Sequence, residues 1–312
     1  MKVVFAGTPD FAVPSLESLI NSAEHRVIAV VTQPDRPIGR KGIITPPPVK
    51  ITAEKYGVPV FQFEKIRKDG VETLKNLNAD VMVTCAYGQL LSQEIIDLFP
   101  YGVINIHASL LPLYRGAAPI QYAVVDGARE TGVTLMQTDI GLDTGDIISV
   151  YKTNIGEDET AGELAERLSV IGAEHICGAL SDIECGKVNK IKQDESRAFT
   201  VRPIKKEQAE INFGLPAESV KNFILGMNPS PIAYTFLNGK KLKIYRAQVY
   251  DGVSNRRVGE VIKADKEILV ACGDGVLKIT ELQEEGGKKM DARSFAIGRK
   301  IKAGDVLGRK DA

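Results

Sequence analysis

The first half of the chain alternates between two hydrophobic patterns. Short runs rich in β-branched apolar residues predict buried strands at 2–7, 25–33, 58–62, 79–88 and 102–109. Between these runs, apolar residues recur at helical spacing and predict helices at 13–22, 49–57, 71–77 and 92–99. Strands that alternate with helices are typical of a mostly parallel sheet with helices on both faces. We therefore predict a Rossmann-like α/β domain for this part of the chain.

The clearest helical signal lies at 160–180. Thr160 and Glu163 have the spacing of an N-terminal capping box, in which each side chain accepts a hydrogen bond from the other residue's backbone N–H. Apolar residues then follow one face of the predicted helix, at Leu164, Leu168 and Ile171. We expect a long helix that begins at about residue 160.

The pattern changes after this helix. Residues 189–206 have little periodicity and more basic than acidic side chains, which indicates an interdomain linker. One helix is predicted at 217–227, and short strands follow, with Asn238–Gly239 between two alternating runs as a strong hairpin signal. This pattern is typical of a small β-barrel or sandwich. We predict a first domain at 1–188, the linker, and a second domain at 207–312.

The composition indicates a soluble protein. The apolar fraction of 44% and the charged fraction of 26% are ordinary for globular domains. No apolar run approaches the roughly 20 residues that span a bilayer, and the N-terminus lacks the pattern of a signal peptide. The cysteines are scattered without CxxC spacing, at Cys85, Cys177, Cys185 and Cys272. We therefore expect a cytoplasmic protein with no membrane segment, disulfide framework or metal site.

The charge is distributed unevenly along the chain. Residues 204–312 contain 20 Lys and Arg against 14 Asp and Glu, whereas residues 1–203 contain 20 against 26. Such an asymmetry is explained either by chance and solvated faces or by a polyanionic partner of the second domain. The charge alone leaves both explanations open.

Several predicted strands end in a glycine or in a polar side chain that could contact a ligand. Gly7, Tyr87–Gly88 and His107 all lie at predicted carboxyl ends, where open α/β sheets bind their ligands. We expect these ends to form one crevice. The first turn contains only one glycine, so it lacks the Gly-x-Gly-x-x-Gly backbone that holds a dinucleotide pyrophosphate. This argues against an NAD-dependent oxidoreductase.

His107 is one of three histidines and has an asparagine two positions earlier. Asn105 and His107 point to the same side of a strand, so their side chains form a pair of donors for a negatively charged oxygen. A carboxylate is needed to orient the imidazole, and one loop supplies the candidates Asp139, Asp143 and Asp146. A structural histidine and a polar surface turn are the alternatives. His25 and His175 are expected to have packing roles.

Two segments, 105–123 and 141–147, together resemble the folate-dependent formyltransferases. The first contains the signature Asn-x-His-x-Ser-Leu-Leu-Pro, and the second contains the sequence GLDTGDI. Further segments resemble the branch of this family that formylates methionine esterified to initiator tRNA: 5–12, 32–40, 205–213 and 226–236. The resemblance covers nearly the whole chain and implies a formyltransferase fold followed by an OB-like β-barrel.

The resemblance implies a reaction and three catalytic residues. The donor is 10-formyltetrahydrofolate, and the acceptor is the α-amino group of methionyl initiator tRNA. Asn105, His107 and Asp143 match the family's catalytic trio. Protonated His107 and Asn105 would stabilise the tetrahedral oxyanion, and Asp143 would hold His107 charged and relay protons. No metal is required.

The resemblance also implies contacts with both substrates. Residues expected to contact the folate are Ser109, Leu110, Leu111, Pro112, Gln89 and Leu90. The segment 33–45 matches an insertion that the family uses on the tRNA acceptor end, and its expected tRNA contacts are Arg36, Arg40 and Lys41. The OB-like domain is a further nucleic-acid platform. A monomer is the family expectation.

The chain departs from the family pattern at three positions. Leu113 stands where Lys or Arg is usual, and Ser230 and Ile232 replace the usual Trp and Gly. Two alternative functions stay open. One is formylation of another amine on the same scaffold, such as a UDP-amino-sugar or glycinamide ribonucleotide. The other is a non-catalytic RNA-binding protein, against which the intact trio argues.

Overall fold

The computed structural model describes residues 1–39, 42–298 and 300–308. The chain forms two compact units, each assembled from separate stretches of sequence. Unit 1 contains Met1–Pro119, Glu130–Asn154 and Ala165–Val201. Unit 2 contains Ile120–Arg129, Ile155–Leu164 and the described residues from Arg202 onward.

Unit 1 is an α/β unit. Its strands are β1 (Lys2–Gly7), β2 (Arg26–Thr32), β3 (Arg36–Ile38), β4 (Ile43–Thr45), β5 (Val60–Gln62), β6 (Val81–Cys85), β7 (Val103–His107), β8 (Arg115–Gly116), β9 (Glu130–Gln137), β10 (Ile147–Asn154) and β11 (Thr200–Val201). Its helices are α1 (Val13–Ile20), α2 (Pro48–Lys55), α3 (Ile66–Asp69), α4 (Val71–Asn76) and α5 (Gln93–Ile96). Two further helices, α6 (Pro119–Val125) and α7 (Ala161–Glu184), contain points where the division between the units falls.

The main sheet of unit 1 has the strand order β10-β9-β7-β6-β1-β2-β5. The pairs β1–β2, β1–β6, β2–β5 and β6–β7 are parallel, whereas β9 runs antiparallel to both β7 and β10. The prediction of a mostly parallel sheet is confirmed. All five residues of β6 are buried, as expected for a continuous apolar strand with helices on both faces.

The carboxyl ends of the parallel strands determine where a functional site can lie. β6 and β7 are neighbours in the sheet, and β1 lies on the other side of β6. Parallel neighbours end at the same edge, so the residues that follow β1 and β6 lie beside the end of β7. This edge is where the sequence predicted a crevice.

The predicted capping box opens helix α7. The backbone N–H of Thr160 donates to Oε2 of Glu163 at 2.9 Å, and the backbone N–H of Glu163 donates to Oγ1 of Thr160 at 3.3 Å. The two bonds satisfy donors that the first turn of a helix leaves unpaired. The predicted long helix is confirmed and extends to Glu184.

The segment 33–45 contains the antiparallel hairpin β3–β4, in which Arg36 pairs with Thr45 and Ile38 with Ile43. Two predicted tRNA contacts, Arg40 and Lys41, lie outside the described residues. The sequence predicted no regular structure for this segment, because each strand has only three residues and Pro37 lies in the middle of β3.

Unit 2 contains an antiparallel sheet and two short helices. Its elements are α8 (Ala217–Gly226), β12 (Tyr234–Leu237), β13 (Lys240–Tyr250), β14 (Val261–Ala264), β15 (Ile268–Ala271), β16 (Val276–Glu284), β17 (Met290–Asp291) and α9 (Ala292–Ile297). The strand order is β12-β13-β16-β15-β14, and β17 pairs with β16. Register shifts on both sides of Arg246 bend the long strand β13. The sheet curls into a half-barrel, as in an OB-like domain.

The predicted hairpin turn lies between β12 and β13. Asn238 and Gly239 have φ values of 52° and 79°. Positive φ at both central positions is the geometry of a two-residue type I′ turn, which Asn-Gly sequences favour. The local turn chemistry therefore predicted this element correctly.

The segment predicted as a linker, 189–206, makes regular contacts with unit 1 through residue 201. Ile191 forms an antiparallel bridge with Ile147, and β11 lies parallel to β8. The boundaries 1–188, 189–206 and 207–312 stay a prediction. Among the helices of the described residues, none has the length and apolar character needed to cross a membrane.

Candidate active site

Three polar side chains meet at the carboxyl end of β7. Asn105 and His107 lie on this strand, two residues apart and on the same face. Asp143 lies on the loop between β9 and β10, and its carboxylate approaches both side chains. The structure therefore brings together the three residues that the sequence singled out.

The amide of Asn105 has a defined orientation. The hydroxyl of Thr84, on β6, donates to Oδ1 of Asn105 at 2.9 Å, and Nδ2 of Asn105 donates to Oδ1 of Asp143 at 3.3 Å. Only the NH2 end of an amide can donate to a carboxylate. The NH2 group has a second hydrogen, and within the described residues the hydrogen bond to Asp143 engages only one of the two.

His107 is 6% exposed and has an acceptor near each ring nitrogen. Its Nδ1 lies 3.6 Å from Oδ2 of Asp143, a distance suited to electrostatic attraction but longer than a hydrogen bond. Its Nε2 lies 3.1 Å from the carbonyl oxygen of Tyr114. A carbonyl oxygen can only accept, so Nε2 carries the hydrogen in the contact with Tyr114.

Asp143 is held in an uncommon backbone conformation. Its φ is 53°, in the left-handed region that aspartate tolerates better than most residues. Its Oδ2 accepts a hydrogen bond from the backbone N–H of Gly116 at 2.8 Å. Asp139, another candidate from the sequence, instead accepts from the Gly141 N–H and the Thr144 hydroxyl of its own loop, at 3.0 and 2.6 Å. The tertiary structure thus distinguishes Asp143 from Asp139.

A second polar group near Asp143 has no signal in the sequence pattern. Arg115, 4% exposed, forms a bidentate pair with Glu195 at 3.0 and 2.7 Å and donates to Oε1 of Gln193 at 3.0 Å. Hydrogen bonding with Glu195 raises the pKa of Arg115, and the same contact lowers the pKa of Glu195. Arg115 follows the signature, whereas Gln193 and Glu195 lie in the segment interpreted as a linker. No local sequence pattern therefore indicated that the three residues meet.

The segment after the trio has a fixed shape. The hydroxyl of Ser109 donates to the carbonyl of Leu113 at 2.6 Å, and the carbonyl of Ser109 accepts from the hydroxyl of Thr134 at 2.6 Å. The same threonine oxygen accepts from the N–H of Leu111 at 3.2 Å. The peptide bond between Leu111 and Pro112 is cis. The Ser109 hydroxyl is therefore engaged within the segment.

The other residues expected to contact folate have contrasting environments. Both ends of the Gln89 amide bind backbone groups: Oε1 accepts from the N–H of Ile66 at 2.9 Å, and Nε2 donates to the carbonyl of Phe63 at 2.8 Å. The next side chain, Leu90, is 62% exposed. Leu110 is half-buried, whereas Leu111 and Pro112 are buried. Leu90 is therefore the most accessible apolar side chain of this set.

Of the three predicted tRNA contacts, Arg36 is the one that lies within the described residues. This arginine is exposed and pairs with the exposed Glu64 at 2.6 Å. The hairpin β3–β4 also exposes Ile43 and Ile44, which are 61% and 69% accessible. An arginine close to two exposed isoleucines gives the hairpin both charge and apolar surface.

Ile232, one of the departures from the family pattern, has a φ of 69°. The usual glycine adopts such a φ without steric penalty, whereas a β-branched residue rarely does. The side chain of Ile232 is buried in unit 2, which offsets part of that penalty. Nothing in the structure explains Ser230.

The other two histidines make packing contacts within unit 1. Nε2 of His25 lies 3.0 Å from the carbonyl of Cys177 and 3.1 Å from the Ser181 hydroxyl. His175 stacks on Tyr151, with ring centroids 3.6 Å apart and an interplanar angle of 3°. These contacts agree with the packing roles expected from the sequence.

Comparisons with known proteins identify the family. A formyl transferase model matches residues 1–180, and a model of the formyl transferase C-terminal domain matches residues 203–300. A methionyl-tRNA formyltransferase from Geotalea daltonii is 46% identical over 314 residues, covering 100% of both chains. The chain belongs to the methionyl-tRNA formyltransferase family. Another member, from Bacillus subtilis, is 44% identical over 310 residues, covering 98% of each chain.

Membership of the methionyl-tRNA formyltransferase family confirms the resemblance found in the sequence and makes this chain an enzyme of the formyltransferase class. Solved structures share the fold at lower identity. An N-formyltransferase from Helicobacter canadensis, in complex with folinic acid and dTDP-3-aminofucose, has a TM-score of 0.69 and 20% identity, covering 93% of this chain and 100% of that chain. HypX from Aquifex aeolicus, in complex with tetrahydrofolic acid, has a TM-score of 0.63 and 15% identity. The match covers 95% of this chain, which spans about half of HypX, 46% of its length.

Proposed function

We propose that this chain transfers the formyl group of 10-formyltetrahydrofolate to the α-amino group of methionyl initiator tRNA. The observation that carries the proposal is the meeting of Asn105, His107 and Asp143 at one strand end, in a chain that aligns along its whole length with methionyl-tRNA formyltransferases. We further propose that it acts as a monomer in the cytoplasm, where translation begins.

The reaction is an acyl transfer between two amines. The lone pair of the methionyl α-amino group attacks the formyl carbon, and the carbonyl oxygen becomes an oxyanion. The bond between the formyl carbon and N10 of the folate then breaks, and the proton lost by the attacking amine is transferred to N10. An α-amino group titrates near pH 8, so a useful fraction is the free amine at neutral pH.

Asn105 and His107 would supply the donors for the oxyanion. The second N–H of the Asn105 amide is directed by the bonds to Thr84 and Asp143. The Nε2 proton of His107 faces the Tyr114 carbonyl in this structure, so the developing oxyanion would compete with that carbonyl. Preorganised donors of this kind stabilise charge that appears only in the transition state, and removing one lowers the rate by about 10²–10³-fold.

Asp143 has two roles in this proposal. Its carboxylate faces Nδ1 of His107 and would orient the imidazole by electrostatic attraction. It also accepts from Asn105 and Gly116, which fixes its own position. A carboxylate that faces His107 and accepts hydrogen bonds from Asn105 and Gly116 can take part in proton transfer without moving away from the histidine.

The folate is proposed to lie against the segments 86–91 and 109–112. The exposed Leu90 offers an apolar contact for a flat ring, and the hydrogen bonds to Leu113 and Thr134 hold the segment from Ser109 to Pro112 in one shape for the ligand. Gln89 would act indirectly, because its amide already joins this wall to the backbone at Phe63 and Ile66.

The tRNA is proposed to contact the insertion at 33–45, through Arg36, Arg40 and Lys41. The excess of basic residues in the C-terminal part of the chain suits the same polyanion. OB-like sheets often bind single-stranded nucleic acid, which agrees with recognition of an acceptor end.

A direct assay tests the proposal. Purified full-length protein is given 10-formyltetrahydrofolate with either methionyl initiator tRNA or a nucleotide-linked amino sugar. Formylation of the charged tRNA is the expected result. Transfer to the sugar alone would keep the catalytic role of the trio but make an amino sugar, and not the charged tRNA, the acceptor. Binding of tRNA without transfer to either acceptor would favour a non-catalytic protein.

A further inference from the structure

Gln193 reaches the loop of the active-site aspartate from a distant part of the sequence. Its Nε2 donates to the carbonyl of Asp143 at 2.8 Å and to the carbonyl of Gly145 at 2.8 Å. The two hydrogens of one amide nitrogen therefore join both sides of the turn at Asp143.

The orientation of Gln193 is set by a buried arginine. Nε of Arg115 donates to Oε1 of Gln193 at 3.0 Å, so the amide cannot turn over without losing this bond. Arg115 is in turn held by a bidentate pair with Glu195 at 3.0 and 2.7 Å. A bidentate carboxylate fixes the plane of a guanidinium as well as its position.

The backbone around Gln193 is anchored on both sides. Before it, Ile191 exchanges hydrogen bonds with Ile147 at 2.8 and 2.9 Å. After it, β11 pairs with β8, and the N–H of Arg115 donates to the carbonyl of Phe199 at 2.8 Å. The segment that presents Gln193 is therefore part of unit 1 and not a free tether.

Strand β8 holds Asp143 at two points. The N–H of Gly116 donates to the carboxylate at 2.8 Å, and the neighbouring Arg115 orients the amide that binds the Asp143 carbonyl. Hydrogen bonds to both the backbone carbonyl and the side-chain carboxylate restrain rotation of Asp143 as a whole. Such restraint matters at φ 53°, because the left-handed conformation costs free energy in a residue with a Cβ.

We infer that Gln193 is a positioning residue for formyl transfer, which holds Asp143 against His107 and Asn105 and makes no contact with the reacting atoms itself. The inference rests on the proposed function for its kinetic test. Nδ1 of His107 lies 3.6 Å from Asp143, so a small rotation of the aspartate would separate the two groups.

Two substitutions test this role. Gln193→Met keeps the length of the side chain but removes both donors and the acceptor. Gln193→Glu keeps an oxygen for Arg115, removes the donors and places a negative oxygen against the carbonyls of Asp143 and Gly145. It therefore decides the question if the methionine variant does not fold. Gln93→Met is the control, because Gln93 is an exposed glutamine on α5 whose amide binds Asp97 one helical turn away.

We expect both Gln193 variants to lower kcat at least tenfold, with KM for the folate and for the charged tRNA changed less than threefold. A purely structural role would change thermal stability without this separation of kcat from KM. In an Asp143→Asn background, the Gln193→Met change should cause no further loss, because the two residues act through one geometry. Normal activity, or an equal loss in that background, would overturn the inference.

A second readout does not depend on the acceptor. The imidazole ¹H–¹⁵N signals of His107, assigned with the His107→Ala variant, should shift in Gln193→Met and stay in place in Gln93→Met. Unshifted His107 signals would overturn the inference even with an altered rate. Failure of the wild-type protein to formylate tRNA would instead overturn the proposed function, and the imidazole signals would still test the role of Gln193.

Discussion

The Thr84 hydroxyl donates to Oδ1 of Asn105 at 2.9 Å, and the two residues are direct neighbours across the parallel strands β6 and β7. The bond engages the oxygen of the amide, so the NH2 end faces Asp143 and the proposed oxyanion. The buried sheet therefore sets the direction of a donor at its own edge, and catalysis should depend on Thr84 without direct contact with substrate.

Thr84→Val removes the hydroxyl and keeps the shape of the side chain. We expect kcat to fall about 3–10-fold, the effect of losing a hydrogen bond worth roughly 1 kcal/mol. Thr131→Val is the control, since its buried hydroxyl has no hydrogen-bond partner within the described residues. Steady-state kinetics of both variants would check this, and equal rates in the two would argue against an orienting role.

His107→Ala should lower formyl transfer at least about a hundredfold, because an oxyanion donor is lost. The matched control is His175→Ala, which removes a histidine that stacks on Tyr151. The control should keep its rate. Circular dichroism would establish that both variants fold, and single-turnover rates would show the difference. A His107→Ala rate close to that of the control would exclude the histidine from the chemistry.

Arg40→Ala should weaken binding of the tRNA more than binding of the folate. Loss of one phosphate contact also lowers the slope of log affinity against log salt by about one. Arg26→Ala removes the same charge from the amino end of β2, away from the carboxyl ends of the parallel strands, and should leave tRNA affinity unchanged. Filter-binding titrations at several salt concentrations measure both. Equal weakening of tRNA and folate would contradict the assignment.

Glu195 should make stability depend on pH. Its pKa is lowered in the folded protein, chiefly by the hydrogen bonds from Arg115. A carboxylate with a depressed folded-state pKa stabilises the fold above its unfolded pKa, near 4.3, and loses this effect as pH falls through the lower value. Glu195→Gln should therefore be less stable than wild type at pH 6, with the gap closing below pH 4.

Urea midpoints at several pH values measure this gap. Glu174→Gln, an exposed position on α7, serves as the control. Glu195 is itself largely exposed, so the difference at pH 6 should be modest and should shrink further in high salt. A gap that widened on acidification would reverse the sign of the predicted linkage.

Local patterns predicted most of the secondary structure. The continuous apolar runs gave the parallel strands, the capping box gave the start of α7, and Asn238–Gly239 gave the turn between β12 and β13. Each of these signals lies within a few neighbouring residues, so the chain's own periodicity and turn chemistry are enough to reveal it. The hairpin β3–β4 was missed because its strands are too short to show a period.

The sequence by itself determined the α/β and OB-like classes, the family, and Asn105 and His107 as a pair on one face of a strand. Only the tertiary structure showed which contacts hold Asp143, directed the Asn105 amide through Thr84, and joined Arg115 to Gln193. The last two residues are 78 positions apart, and Gln193 lies 50 positions from Asp143. Contacts over such separations depend on how the elements pack, and periodicity carries no information about them.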